Sequence, residues 1–449
     1  MARRPRTLRI EPRSGRGPGL SPERSFLLEL PDFEGDPAAE QAAALARLRA
    51  LCDPSERPLV AWAGPEFARG AAAFAAERRA LARPELPDLG RWLRVRLNLP
   101  FGPRELLAAW GTPLAALHPC RPAEAGARAH EAAPDPARMP GEVVWQPNLG
   151  APPGGLGVAL VEGWPHQAGV GVRVGFAAAG YQRGHPDLRH VPVEELSEPD
   201  PDQAGLGTWI MGVLFARPLQ EGLTGICPRA GAVFRQPLSA REGEGPVVSW
   251  ADAVDALAAE LAAGDVLLLA AAPGGLPVED DPAAFDAIRL AVARGVHVVE
   301  SAGDADLDLD DPARGGRWDR ARRDSGAILV TGYLRQPLPP PPAPSRIHGN
   351  RGSRVDAHAP SPIYTTRPAG EQRQLAQWFQ GAASASAQVA GVVAFASAAR
   401  KLATGEPVAP GSLRAALRAS GTPARVESDR PSCGTQPDLP ALLARLREG

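Results

Sequence analysis

The chain is almost without lysine: Lys401 is the only one among 49 basic residues in 449 positions. Against 51 acidic residues the net charge is −2, which removes the usual reason to expect nucleic acid or an anionic membrane as partner. The basic residues are therefore nearly all arginine, alongside 48 Gly and 50 Pro; that joint rise reads as a GC-rich coding sequence rather than a ligand signal. No run of 18 apolar residues occurs, so no membrane span is expected. The N-terminus, Met1-Ala2-Arg3-Arg4-Pro5-Arg6, lacks the apolar core of a secretory signal. Cysteine is scarce as well. Cys52, Cys120, Cys227 and Cys433 lie far apart, without metal-ligand spacing, and read as four free thiols in a cytoplasmic protein. The eight histidines form no His-Glu-x-x-His motif, so neither a metal nor a cofactor is expected. A composition 44% hydrophobic and 22% charged suits a globular chain of two or three domains.

Residues 1–24 are rich in Arg, Pro and Gly and read as a disordered tail. Residues 25–120 alternate strand and helix patterns: strands at Ser25–Leu30 and Trp92–Leu99, helices at Pro37–Leu51, Glu66–Leu81 and Pro103–Trp110. Residues 121–155 read as a linker of Ala, Pro and Gly. A main domain over 156–425 follows, and 426–449 reads as a helical C-terminal extension. In the main domain apolar strands (171–177, 230–235, 265–271, 296–299, 327–330) alternate with amphipathic helices (207–216, 250–263, 282–294). That order predicts a mostly parallel sheet between two layers of helices. Pro337–Pro344 predicts an extended polyproline loop.

One stretch organises the rest. Gln380-Gly381-Ala382-Ala383-Ser384-Ala385-Ser386-Ala387-Gln388-Val389-Ala390-Gly391 reads as a tight turn running into a helix of small residues. It resembles the Gly-Thr-Ser-Met-Ala-Ser-Pro-His-Val-Ala-Gly signature of subtilisin-like serine peptidases. The matches at Gly381, Ala385, Ser386, Val389, Ala390 and Gly391 put Ala383 at the nucleophile position. Three further stations follow from the same resemblance. Val174-Gly175-Phe176-Ala177-Ala178-Ala179-Gly180, with His185-Pro186-Asp187-Leu188 behind it, looks like the strand that carries the family's Asp; Ala178 stands there. Gly205-Leu206-Gly207-Thr208-Trp209-Ile210-Met211-Gly212 is similar to Gly-His-Gly-Thr-His-Val-Ala-Gly, with Leu206 in place of the general base. Gly222-Leu223-Thr224-Gly225-Ile226-Cys227-Pro228 resembles the segment that follows it in the family. Val298-Val299-Glu300-Ser301-Ala302-Gly303-Asp304 looks like the strand ending Ala-Ala-Gly-Asn, with Asp304 at the oxyanion-binding carboxamide.

The resemblance implies a three-layer α/β subtilisin-like fold over roughly residues 150–400, preceded by a small α+β pro-segment-like domain. It also implies lost chemistry. A methyl group neither orients nor stabilises an imidazolium, leucine takes no proton, and a carboxylate repels a developing oxyanion. Loss of the triad costs subtilisin about 10⁶-fold in turnover. The expectation is thus a pseudopeptidase with no catalytic residues at Ala178, Leu206, Ala383 and Asp304, serving as a peptide- or protein-binding or regulatory scaffold. Ala270, Ala271, Ala272 and Gly274 align with the strand edge on which the family's substrates lie, so a peptide could pair there uncut; the protein's own N-terminal segment is one candidate ligand. The start of the helix at Ala383 offers backbone N–H groups as a seat for a carboxylate.

Rival readings remain open at this stage. Ser384 or Ser386 could act as displaced nucleophiles of an atypical hydrolase, although a base is needed and His166, His185 and His190 all flank the first strand instead. Otherwise both serines satisfy local backbone groups. Asp304, Asp306, Asp308, Asp310 and Asp311 could hold Ca²⁺ or form a solvated acidic loop. Trp209 reads as filling the space of the lost site. A purely structural assembly subunit is the third functional class.

Overall fold

The computed structural model describes residues 25–83, 85–98, 101–111, 114–119, 146–217, 223–241, 245–334, 346–368, 377–424 and 433–448. The expected N-terminal tail, most of the expected linker and the polyproline segment lie outside them. The chain divides into two compact units, Met1–Ala123 with Leu238–Asp252, and Glu124–Pro237 with Ala253–Gly449.

In the first unit the chain order is β1 (Ser25–Glu29), α1 (Pro37–Arg49), β2 (Val60–Pro65), α2 (Ala71–Ala80), β3 (Trp92–Leu97), α3 (Pro103–Trp110) and β4 (Ala116–Pro119). The strands form an antiparallel sheet of order β2-β3-β1-β4. Apolar residues of alternate strand positions, Phe26, Leu28, Leu93, Val95 and Leu97, pack with Leu48, Leu106 and Trp110 from the helices. Asp36 starts α1 by accepting from the Ala38 and Ala39 N–H groups, with Pro37 in the first turn, where its missing N–H costs nothing.

Further along, the chain order is β5 (Arg173–Ala177), β6 (Val193–Glu195), α4 (Gly205–Phe215), β7 (Gly231–Arg235), the hairpin β8–β9 (Leu238–Arg241, Gly245–Val248), α5 (Trp250–Glu260), β10 (Val266–Leu269), α6 (Pro282–Ala293) and β11 (His297–Ser301). It continues with β12 (Ile328–Leu334), β13 (Arg346–His348), β14 (Ala357–Ser361), β15 (Ile363–Thr365), β16 (Gln377–Phe379), α7 (Gly381–Thr404), α8 (Pro410–Ser420), β17 (Thr422–Pro423), β18 (Thr435–Gln436) and α9 (Leu439–Glu448). The hairpin and the first residues of α5 group with the first unit. There the Ser249 hydroxyl donates to Glu66 at 2.5 Å, Glu66 pairs with Arg94 at 2.7 and 3.0 Å, and Asp252 accepts from the Ala68 N–H at 2.7 Å.

Among the described residues the main sheet has ten strands, in the order β17-β18-β14-β12-β11-β10-β5-β7-β6 with β13 beside β12. Seven of its pairings, from β6–β7 through β14–β18, are parallel. Its central strands are buried on both faces, β10 reading Val-Leu-Leu-Leu with every residue buried, as a sheet covered on two sides requires. α7 is the core helix: Gly381 to Ala398 is buried throughout. By length and composition it is apolar enough to cross a membrane, but 94% of its apolar window is buried inside the protein.

Two expected boundaries move. Residues 146–155 belong to the main unit, where Leu149 and Leu156 enter the core. The C-terminal extension does too: β18 pairs with β14, and Leu439, Leu442, Leu443 and Leu446 of α9 join the same core. Apolar residues at helical spacing need a surface to cover, and α7 and α8 provide it.

Candidate functional site

The four stations lie where parallel strands end and helices begin. Ala178 follows directly on β5, Asp304 lies three residues beyond β11, Leu206 is in the first turn of α4 and Ala383 in the first turn of α7. Contacts join them in sequence. Gly207 sits so close to the first loop that a Cβ there would lie 2.2 Å from the Gly180 carbonyl oxygen, and the Thr208 hydroxyl accepts from the Gln182 N–H at 2.9 Å. Trp209 packs on Phe379 with ring centroids 5.6 Å apart, two residues before α7 starts. The Thr365 and Thr366 hydroxyls donate to the Trp209 and Thr208 carbonyls, each at 2.7 Å. Ala178, Trp209 and Ala383 belong to one apolar cluster, and Leu206 packs against it.

Asp304 closes the ring. Its Oδ1 accepts from the Ala382 N–H at 2.7 Å, and the neighbouring Gly381 N–H donates to the Ser361 hydroxyl at 2.6 Å. Gly381 has φ +81, and a side chain there would meet the Asp304 carboxylate at 2.6 Å; glycine is required on both counts. The seat expected for an external carboxylate is therefore occupied from within. An anion at a helix N-terminus is favourable, and this chain supplies its own.

The displaced-nucleophile serines are enclosed. Ser384 and Ser386 are both fully buried. Ser386 donates to the Ala383 carbonyl at 2.9 Å, as the local reading expects. Ser384 departs from that reading: its hydroxyl has no hydrogen-bond partner among the described residues. Among the described residues no histidine is hydrogen-bonded to either serine. His185 is buried and its Nδ1 accepts from the Asp187 N–H at 3.2 Å. His190 bonds the Phe215 carbonyl at 3.1 Å, at the far end of α4, and burial with the Arg217 charge holds its pKa below the ordinary value. His166 is exposed.

The expected substrate edge lies just beyond β10. β10 is an interior strand paired to β5 and β11, and Ala270 and Ala271 are buried. Ala272 is half-buried, and Gly274 alone of the four is exposed. The chain turns at Pro273–Gly275, with Gly274 at φ +61.

The aspartates after β11 do not converge. Asp306 pairs with Arg351, Asp308 accepts from the Asp310 N–H, Asp310 from Ser353, and Asp311 from the Ala313 N–H. Among the described residues there is no group of three His, Cys, Asp or Glu able to hold a metal ion. Cys52, Cys227 and Cys433 are free thiols; burial pushes Cys433 up to about 12, which leaves it an unreactive thiol.

Two features were missed in the sequence. The fully buried Asn350 amide donates to the Gly275 and Ala302 carbonyls at 2.8 and 2.7 Å and accepts from the Leu307 N–H at 3.0 Å, stapling the loops after β10 and β11. A buried charge network lies nearby: Arg354 contacts Glu279 and Asp356, each at 2.9 Å, and Asp356 also takes Arg320 at 2.8 Å and Arg414 at 3.0 Å. Burial pushes the Asp356 carboxyl up, but Arg354, Arg414 and Arg320 hold it below the ordinary value. Burial and the neighbouring Glu279 charge push the Glu300 carboxyl well above its ordinary value. The one legible signal was Glu300 itself, a charge inside an apolar strand.

No protein-family model matches the chain, and no curated protein does. Among solved structures, fervidolysin from Fervidobacterium pennivorans, a keratinolytic enzyme related to subtilisin, is similar at a TM-score of 0.58 and 16% identity over 94% of this chain and 61% of that one. A cold adapted subtilisin-like serine proteinase is similar at a TM-score of 0.44 and 20% identity, over 61% of this chain and 90% of that one. The chain thus spans 61% of the fervidolysin structure.

Proposed function

We propose that this chain, whose fold is subtilisin-like, is a catalytically inactive pseudopeptidase that serves as a binding or regulatory scaffold for a peptide or protein segment. The observation that carries the reading is the Asp304 carboxylate on the Ala382 N–H, at the start of the helix whose nucleophile position holds Ala383. A negative group there opposes a developing oxyanion, and it replaces the hydrogen-bond donor that the chemistry requires. Ala178 and Ala383 are buried within an apolar cluster, which offers no proton carrier. The hydrolase alternative relies on Ser384 or Ser386; both are enclosed, and among the described residues neither is hydrogen-bonded to a base.

Binding is assigned to the surface at the ends of β10 and β11. Gly274 is exposed there, and the Gly275 turn abuts Gly303, next to Asp304. The test is fluorescence anisotropy of the full chain against a library of labelled peptides, with mass spectrometry of the recovered ligand. The expected result is saturable binding of intact peptide, weakened at least tenfold (about 1.4 kcal/mol) by Gly274→Asn, a residue that tolerates the same backbone conformation. Recovery of cleaved peptide contradicts the reading.

A further inference from the structure

We infer that the first unit carries a binding site for a small organic anion, separate from the four stations. A concavity of about 430 Å³ is bordered by α2 and its C-terminal turn, the start of α1 and the loop before it. That volume falls in the range of about 300–1,000 Å³ typical of small-molecule sites. Its apolar wall consists of Phe33, Pro37, Ala75 and Ala82, enough for a ring or a short acyl chain.

The charged wall is unbalanced. Three guanidiniums, Arg78, Arg79 and Arg83, face two carboxylates, Asp32 and Asp88. Both carboxylates are already engaged: Asp88 pairs with Arg78 at 3.1 Å and accepts from the Gly90 N–H at 3.0 Å, and Asp32 pairs with Arg91 at 2.6 Å. Arg83 pairs with Glu85 at 2.7 Å, both side chains more than half exposed. Such a pair is worth about 0–1 kcal/mol and exchanges readily for another anion. Arg79 is exposed and has no ion-pair partner among the described residues. One arginine without a counter-ion and one with a weak one, above an apolar wall, suit a carboxylate, sulfonate or phosphate monoester on an apolar body.

The backbone shapes one side of the wall. Ala82 stands in the wall at φ +51, a left-handed conformation costing an alanine about 1–2 kcal/mol. Ala82 follows the C-cap of α2, and its N–H bonds the Arg79 carbonyl at 3.1 Å, so the left-handed residue ends the helix. Here it sets the bend between α2 and Arg83.

The experiment is isothermal titration of the full chain with phenyl phosphate at low and high salt, with benzyl alcohol as the uncharged control. The expected result is one saturable site with Kd below about 1 mM, weakened by salt and absent for benzyl alcohol. Arg79→Glu combined with Arg83→Glu should weaken it at least tenfold, while Arg104→Glu, an exposed charge reversal on α3, should leave it unchanged. If the double variant fails to fold, Arg79→Gln serves, with at least a threefold loss expected. No saturable binding, or equal affinity in the Arg79 and Arg104 variants, overturns the proposal.

Discussion

At Asp304 the negative charge that the helix start attracts is part of the chain. The carboxylate takes the Ala382 N–H, Ser361 takes the Gly381 N–H, and α7 begins already capped from two other elements. A stabilising anion at a helix N-terminus contributes about 0.3–1 kcal/mol. Asp304→Asn keeps an acceptor oxygen but removes the charge, so urea unfolding should report a loss of no more than about 1 kcal/mol. A loss of several kcal/mol would mean that Asp304 supports more than the helix start. Ala383→Ser alone should leave casein hydrolysis at background, because Leu206 supplies no base and Asp304 still opposes the oxyanion.

Among the elements, α7 is the most constrained. Its small residues allow close packing, and Gly391 marks a close approach in the helix interior: a Cβ there would lie 2.8 Å from the Ile226 Cβ. Glycine to alanine inside a helix ordinarily gains about 1 kcal/mol. Here overpacking should reverse the sign, and Gly391→Ala is expected to lower stability by about 1–3 kcal/mol in chemical denaturation. The helix and the strand order around it were legible in the sequence because apolar strands and small-residue helices leave periodic traces. β10 was found for that reason, and the strand expected over 265–271 ran two residues past its end at Leu269. Alanine runs look alike in a strand and in a buried turn. The four stations could be located because their glycines record close backbone approaches, as at Gly207 and Gly381. The Asn350 staple and the Arg354–Asp356 network could not be read, since their partners come from segments far apart in the chain. The same holds for the grouping of the β8–β9 hairpin with the first unit.

Across the whole molecule, buried ionisable groups set the response to pH. His297 and His358 are buried, and burial lowers each to about 4; neither ring nitrogen of His297 has a partner among the described residues. Between about pH 4 and the ordinary histidine value near 6.5 the unfolded chain binds more protons than the folded one, so stability rises with pH across that window. Each histidine corresponds to about 3 kcal/mol, present above 6.5 and lost as pH falls towards 4. The raised Glu300 pulls the other way: its contribution is complete below the ordinary carboxyl value and fades as pH rises through its folded pKa. His297→Leu should therefore flatten the acid side of the stability profile, as measured by urea unfolding from pH 4 to 7. An unchanged slope would show that His297 is not the group responsible.

The central claim concerns chemistry at the start of α7, and covalent labelling addresses it most directly. The purified full chain is incubated with a fluorophosphonate probe and its intact mass measured, with an active subtilisin-like peptidase in parallel. The predicted result is no adduct on this chain and full labelling of the control. An adduct mapped to Ser384 or Ser386 would contradict the account.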